Sequence, residues 1–231
     1  MAVICSKQIA VPASGKLASD YAVGESVFLD VNGVSKEFLV VNQGIPSNSS
    51  SYDSSCNGTW LLMKDAYESR TWDSSDNNYG NSDIHDYLNG DFLALLDTKV
   101  QSAIKQVKIP WQNNTGSNGL STKIFLLSAY EVGWTTTNPS GYISDIEGAC
   151  LKYFSGTSTT DSKRICYQNG TAVEWFLRTP NFDFTTTLCT VYTNGSCGSE
   201  YCGVASGIRP ALVLPSNASF NSDTNKFMGV K

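Results

Sequence analysis

With 231 residues, 41% of them apolar, 16% charged, and a formal net charge of −5, the chain has the length for one large domain with a sizeable core. No run of Lys or Arg makes a basic stripe and no apolar run approaches bilayer length, so neither nucleic-acid binding nor membrane insertion is expected. Seven cysteines, odd in number and irregular in spacing, do not read as a secreted disulfide framework.

In chain order, residues 1–22 are rich in Ala, Ser and Gly and read as an N-terminal arm or attachment segment. The start, Met1-Ala2-Val3-Ile4-Cys5-Ser6-Lys7, lacks a basic region followed by a long apolar core, so no signal peptide is expected. Residues 26–31 read as a strand, Asn32-Gly33 as a tight hairpin turn, and 36–41 as the return strand. A polar loop over 44–58 precedes an apolar strand over 59–64, and a second polar loop covers 73–81. Ser82 caps a helix that runs through Asn89 and stops at Gly90. Asp97 caps another, with Val100, Ala103, Ile104 and Val107 on one face. Residues 124–127 read as a strand, Ser128 and Glu131 as a capping box, 134–146 as loop and 149–154 as a short helix. Strands are expected over 164–167, 173–177 and 208–214, with a polar tail over 216–231. The sum is an α+β fold with few, short helices, a small antiparallel sheet and long loops.

Between Pro180 and Gly207 the chain changes character. Residues 181–205 contain no Lys, Arg, Gln, Met or Trp, and mix aromatics, small polar residues and three cysteines without a helical or strand period; 191–195 alone suggests a hairpin. Orderly text stands on both sides. Varied content between firm strands reads as a binding surface carried on a scaffold. Tyr and Phe offer large contact area for few lost rotamers, and Ser, Gly and Asn offer adaptable hydrogen bonds.

Other candidates for chemistry are weaker. His85, the single histidine, stands near Asp83 and Asp86 and reads as an ordinary helix residue rather than a general base. Asp73, Asp76 and Asn77 could ligate calcium through oxygen, but their spacing fits no EF-hand and a solvated loop is the preferred reading. Cys150 and Cys166 read as small core residues. Cys189, Cys197 and Cys202 form no C-x-x-C pair, so neither a metal site nor a redox pair is expected, and no cofactor. Arg178 and Arg209 flank the unusual segment; of two roles, contact with an acidic ligand or buried anchorage of the framing strands, anchorage is preferred, with Trp175 as a third anchor.

The framing text carries a resemblance. Trp175-Phe176-Leu177-Arg178-Thr179-Pro180 and Gly207-Ile208-Arg209-Pro210-Ala211-Leu212 resemble a family of gut Firmicutes and their prophages with the pattern W-W-L-R-S-P, a divergent stretch, then G-I/V-R-P-A-L. Phe176 and Thr179 are mild departures. Upstream, Gly58-Thr59-Trp60-Leu61-Leu62-Met63-Lys64, Asn81-Ser82-Asp83-Ile84 with Tyr87-Leu88-Asn89, and Lys123-Ile124-Phe125-Leu126-Leu127-Ser128 also look like it. The likeness covers residues 23–215.

This resemblance implies a C-type-lectin-type fold related to the formylglycine-generating scaffold, with a domain over 23–215. It also implies a variable protein of a diversity-generating retroelement, in which template adenines are randomised into the target gene. A codon such as AAC can then become Asn, Ser, Thr, Ile, Asp, Gly, Ala, Val, Tyr, Cys, Phe, Leu, His, Arg or Pro. Every residue of 181–205 belongs to that set except Glu200, which must be a fixed template position. The variable face would comprise Asn181, Phe182, Asp183, Phe184, Thr186, Thr187, Cys189, Tyr192, Ser196, Cys197, Ser199, Tyr201, Cys202 and Val204. The implied protein is no enzyme. It is a phage or prophage receptor-binding protein on a virion, made in the host cytoplasm, whose ligand is a bacterial surface protein or glycan and whose arm meets other virion proteins. An enzyme of the formylglycine-generating type, or a structural virion or cell-surface domain, is the alternative.

Overall fold

Two five-stranded sheets share two stretches of chain. In a computed structural model, which describes residues 15–47, 49–74, 76–112, 114–135, 143, 147–158 and 161–231, one sheet is antiparallel throughout. Its order is Ser26–Val31, Val34–Gln43, Thr59–Met63, Ala211–Leu214, Ile124–Phe125. The other runs Cys197–Tyr201, Thr187–Val191, Trp175–Pro180, Ser206–Ile208, Glu68–Arg70, with one parallel contact, Trp175 to Gly207. Residues 59–70 and 206–214 each contribute a strand to both sheets. They stay paired where they cross, through Met63 N to Pro210 O and Tyr67 N to Ile208 O, both 2.9 Å. The whole is α+β, mostly strand.

The sequence pattern explains the middle of the first sheet. Thr59–Met63 and Ala211–Leu214 are buried at every residue, so they read as continuous apolar runs rather than alternations. Ser26–Val31, at the edge of the sheet, alternates in burial as a half-covered strand should. The hairpin turn between the first two strands falls at Asn32-Gly33, with φ of 49° and 72°, values that Asn and Gly tolerate.

Several local expectations give way to tertiary packing. Gly90 does not stop the first helix: Asp83–Tyr87 continues as a π-helical stretch, Leu88–Phe92, and ends with Leu93–Leu95. Leu88 and Phe92 are both fully buried, and that apolar face carries the chain through the glycine. The second helix, Thr98–Ala103, is capped by Asp97 as its sequence indicates, but it ends before Ile104, and Val107 lies in a strand, Val107–Ile109. The Ser128–Glu131 capping box forms reciprocally, at 2.9 and 3.1 Å, although no helix follows it.

The expected tail is not one. Ala218–Asn221 pairs on one side with Phe227–Val230 and on the other with Gly15–Leu17 in a three-stranded sheet, with Ala218 and Phe220 fully buried. Burial of one face of this short sheet outweighs the polar average of its sequence. The end of the expected arm, residues 15–22, thus belongs to the domain, while 1–14 and most of the loop over 134–146 lie outside the described residues.

Candidate functional site

Residues 181–205 are built as a loop, a hairpin and a second loop at the free edge of the second sheet. Thr187–Val191 pairs with Cys197–Tyr201 in register from Thr187–Tyr201 to Val191–Cys197. The turn between them closes through Tyr192 N to Ser196 O and Gly195 N to Tyr192 O, both 2.9 Å. Gly195 sits at φ +79°, and a Cβ there would stand 2.2 Å from the Asp161 carbonyl oxygen, so the turn requires glycine. This is the hairpin that 191–195 suggested. Strand period is nevertheless hidden in sequence, because Thr187–Val191 is buried on both faces.

That burial corrects part of the expected face. Asn181, Thr187, Cys189 and Cys202 are buried, and Leu188, Cys189 and Val191 belong to the hydrophobic core. The core is therefore not built wholly before Pro180. The segment needs its own apolar residues because its first strand is interior to the sheet. Phe182, Asp183, Phe184, Thr186, Tyr192, Tyr201 and Val204 are exposed, and Ser196, Cys197 and Ser199 are partly covered. Nine large apolar side chains are exposed among the described residues, and five of them belong to this segment: Phe182 (68%), Phe184 (60%), Tyr192, Tyr201 (62%) and Val204. Contiguous exposed apolar surface is characteristic of interaction sites. Phe182, Phe184, Tyr201 and Val204 lie toward one end of the hairpin and Tyr192 at the other. A shallow cleft of about 390 Å³ lies beside Val204, lined also by Thr193, Glu200 and Glu174. Burial raises the Glu174 carboxyl above its usual range, against a hydrogen bond from Thr190 and with the help of the Glu200 charge.

The segment is held mainly by its backbone. Asn77 Nδ2 donates to the carbonyl oxygens of Thr187 (2.8 Å), Phe184 (3.0 Å) and Asn181 (3.4 Å), and Asn77 N donates to Thr185 O at 2.9 Å. At the hairpin turn, Arg164 Nη1 donates to Gly195 O at 3.3 Å. In the second loop, Trp72 N donates to Cys202 O at 2.9 Å. The sequence marks Asn77 only as a possible calcium ligand and Arg164 only as the start of a strand. Their tasks depend on loop carbonyls brought near by the fold, and no local motif announces such contacts. Side chains within the segment also bond one another and nearby backbone: Asn181 Nδ2 donates to Ser199 Oγ at 2.8 Å, Asp183 N to Asn181 Oδ1 at 3.0 Å and Ser196 N to Asn194 Oδ1 at 3.0 Å.

The framing motifs surround a solvent-free polar network. Arg178 Nη1 and Nη2 donate to Glu131 at 2.6 and 2.9 Å, and Arg178 also donates to the carbonyl oxygens of Leu126 and Pro110. Burial by itself would lower the Arg178 pKa, but the Glu131 charge and hydrogen bonds outweigh it and hold it high. Thr179 Oγ1 donates to Glu147 Oε2 at 2.5 Å and accepts from Ala129 N at 2.9 Å. Tyr52 donates to Glu131 at 3.1 Å. Every member is buried, so the network braces the strand Trp175–Pro180 and presents no group to a substrate. Trp175, fully buried, donates to Arg164 O at 2.9 Å, and Arg209 Nε donates to Met63 O at the crossing between sheets.

The remaining candidates are quiet. His85 packs edge-on against Tyr79, burial lowers its pKa, and among the described residues neither ring nitrogen has a hydrogen-bond partner, with Asp86 Oδ1 at 4.0 Å from Nδ1. Among the described residues, Cys56, Cys150, Cys166, Cys197 and Cys202 form no disulfide. Cys166 is fully buried, whereas Cys150 is partly exposed. Among the described residues no group of three or more His, Cys, Asp or Glu side chains could hold a metal ion, and no helix is long and apolar enough to cross a membrane.

A family model described as a domain of unknown function (DUF6273) matches residues 57–216, a span that includes the whole of 181–205. No curated protein and no solved structure matches the chain.

Proposed function

The chain belongs to the DUF6273 family of domains, and from that premise we propose that it is a ligand-binding display protein whose recognition surface is the exposed part of 181–205. One observation carries the reading: scaffold groups outside the segment hold its carbonyl oxygens, Asn77 those of 181, 184, 185 and 187, Arg164 that of 195 and Trp72 that of 202. Bonds to carbonyl oxygens are indifferent to the side chain at the same residue. Phe182, Phe184, Tyr192, Tyr201 and Val204 can therefore change identity while the loops keep their path. A surface that keeps its shape while its chemistry varies suits a diversified binding site.

In this reading the domain has a C-type-lectin-type fold, and 181–205 is the target of a diversity-generating retroelement. The protein is carried on a phage virion, and its exposed aromatic side chains meet a protein or glycan on a bacterial surface. Sequencing the gene's neighbourhood tests the retroelement: a reverse transcriptase gene and a near-copy of the coding segment for 181–205 are expected, with template adenines at the exposed codons. If neither element is present, the diversified reading fails. Binding of the full chain to intact host bacteria tests the surface. Saturable binding is expected, with at least a tenfold loss in a Phe182→Ala, Phe184→Ala, Tyr201→Ala triple variant; undiminished binding by that variant would place the site elsewhere.

A further inference from the structure

Three arginines are fully buried, and in two of them every guanidinium nitrogen has a hydrogen-bond partner. Arg178 spends its guanidinium on Glu131 and two carbonyl oxygens. Arg164 donates to the carbonyl oxygens of Val132, Ser158 and Gly195 and to the Thr157 hydroxyl. Arg209, 1% exposed, donates from Nε to Met63 O at 2.8 Å and stands over the Trp175 ring at 5.0 Å from its centre, but its buried Nη1 has no hydrogen-bond partner among the described residues. A buried charged donor left unpaired is costly, and native proteins seldom keep one without use.

The surroundings of Arg209 indicate the missing partner. It lines a cleft of about 170 Å³ together with Lys64, Lys163 and Asp65. Three cations thus face one carboxylate, in a chain whose net charge is −5. Lys64 is engaged by Glu37 at 2.9 Å. Lys163 has no carboxylate partner among the described residues and stands 5.6 Å from the centre of the Tyr153 ring. The other walls are apolar or aromatic: Leu39, Ile165, Tyr153 and Tyr167. A guanidinium edge recognises a planar carboxylate, a second cation at the mouth adds attraction, and aromatic and aliphatic walls take an organic body. Burial disfavours the charged guanidinium of Arg209, and a bound anion would offset that.

We propose that this cleft is a binding site for a small organic carboxylate, with Arg209 and Lys163 as its anion-recognising groups. None of the lining residues belongs to 181–205, so the site stands or falls independently of the display surface.

Calorimetric titration of the full chain at low salt tests it with benzoate, the neutral isostere benzamide, and inorganic phosphate. Benzoate is expected to bind saturably at one site, with benzamide and phosphate each at least tenfold weaker. Lys163→Met, at an exposed position, should weaken benzoate at least threefold with an unchanged melting temperature. Asp65→Asn should tighten it, a gain that misfolding cannot imitate. Absence of saturable benzoate binding, equal affinity for benzamide or phosphate, or indifference to both substitutions overturns the assignment.

Discussion

Arg178 and Glu131 meet as a two-pronged ion pair with both side chains wholly out of water, Nη1 to Oε2 at 2.6 Å and Nη2 to Oε1 at 2.9 Å. Removing one partner leaves the other charged and buried. Arg178→Ala should therefore cost about 3–5 kcal/mol of stability. Lys64→Ala, which breaks the exposed pair with Glu37, should cost no more than about 1 kcal/mol. Urea midpoints at constant m-value measure both, and similar losses would contradict the distinction.

Glu147 gives stability a pH dependence. Burial pushes its carboxyl up to about 7 from 4.5, against Arg178 and the hydrogen bonds from Thr179 and Gln112 N, with the Glu131 charge adding to the rise. The folded state then holds a proton that the unfolded chain has released. Stability should be greatest below about pH 4.5 for this group, fall as pH rises through about 7, and level off above, by about 3 kcal/mol in total. Glu147→Gln should remove that slope in urea titrations run across the window. A profile that rises over the same interval in the native chain but not in the variant would reverse the assignment.

Display and scaffold should separate in melting experiments. Tyr201→Ala and Phe182→Ala act on side chains 62% and 68% exposed and should change stability by no more than about 0.5 kcal/mol. Trp175→Ala empties a fully buried site and should cost about 3–5 kcal/mol. Comparable losses at all three positions would mean that the aromatic side chains of the segment support the fold.

The cysteines of the segment should be unreactive thiols in the folded protein. Burial pushes Cys197 up to about 12, against Arg164, and Cys202 up to about 11, and it raises Cys189 as well. Labelling by a thiolate-selective reagent at pH 8 should be at least tenfold slower for these three in the native chain than in urea. Prompt native labelling of any of them would contradict the burial. Serine at Cys189 would put a hydroxyl into the core at a cost of about 1–3 kcal/mol, so a variant with serine at all three should fold with reduced stability.

Local pattern was sufficient wherever a residue's partners lie within a few positions of it. The strand Ser26–Val31, the Asn32-Gly33 turn, the caps at Ser82 and Asp97 and the hairpin after Val191 could all be read directly, because hydrophobic alternation, turn chemistry and capping depend on near neighbours. The change of composition at residue 181 also marked the segment that carries most of the exposed aromatic side chains.

Tertiary structure decided what depends on distant chain. Thr187–Val191 is interior because other strands flank it, so cysteine and threonine there are core residues despite their company in sequence. The strands after Pro215 form because they bury Phe220 against a sheet that includes residues 15–17. Asn77 stands 104 to 110 residues from the carbonyl oxygens that it grips, and Arg209 stands 146 from Met63. Composition could mark the segment, but which of its residues face solvent, and what holds their backbone still, follows from long-range hydrogen bonds and burial that no local window contains.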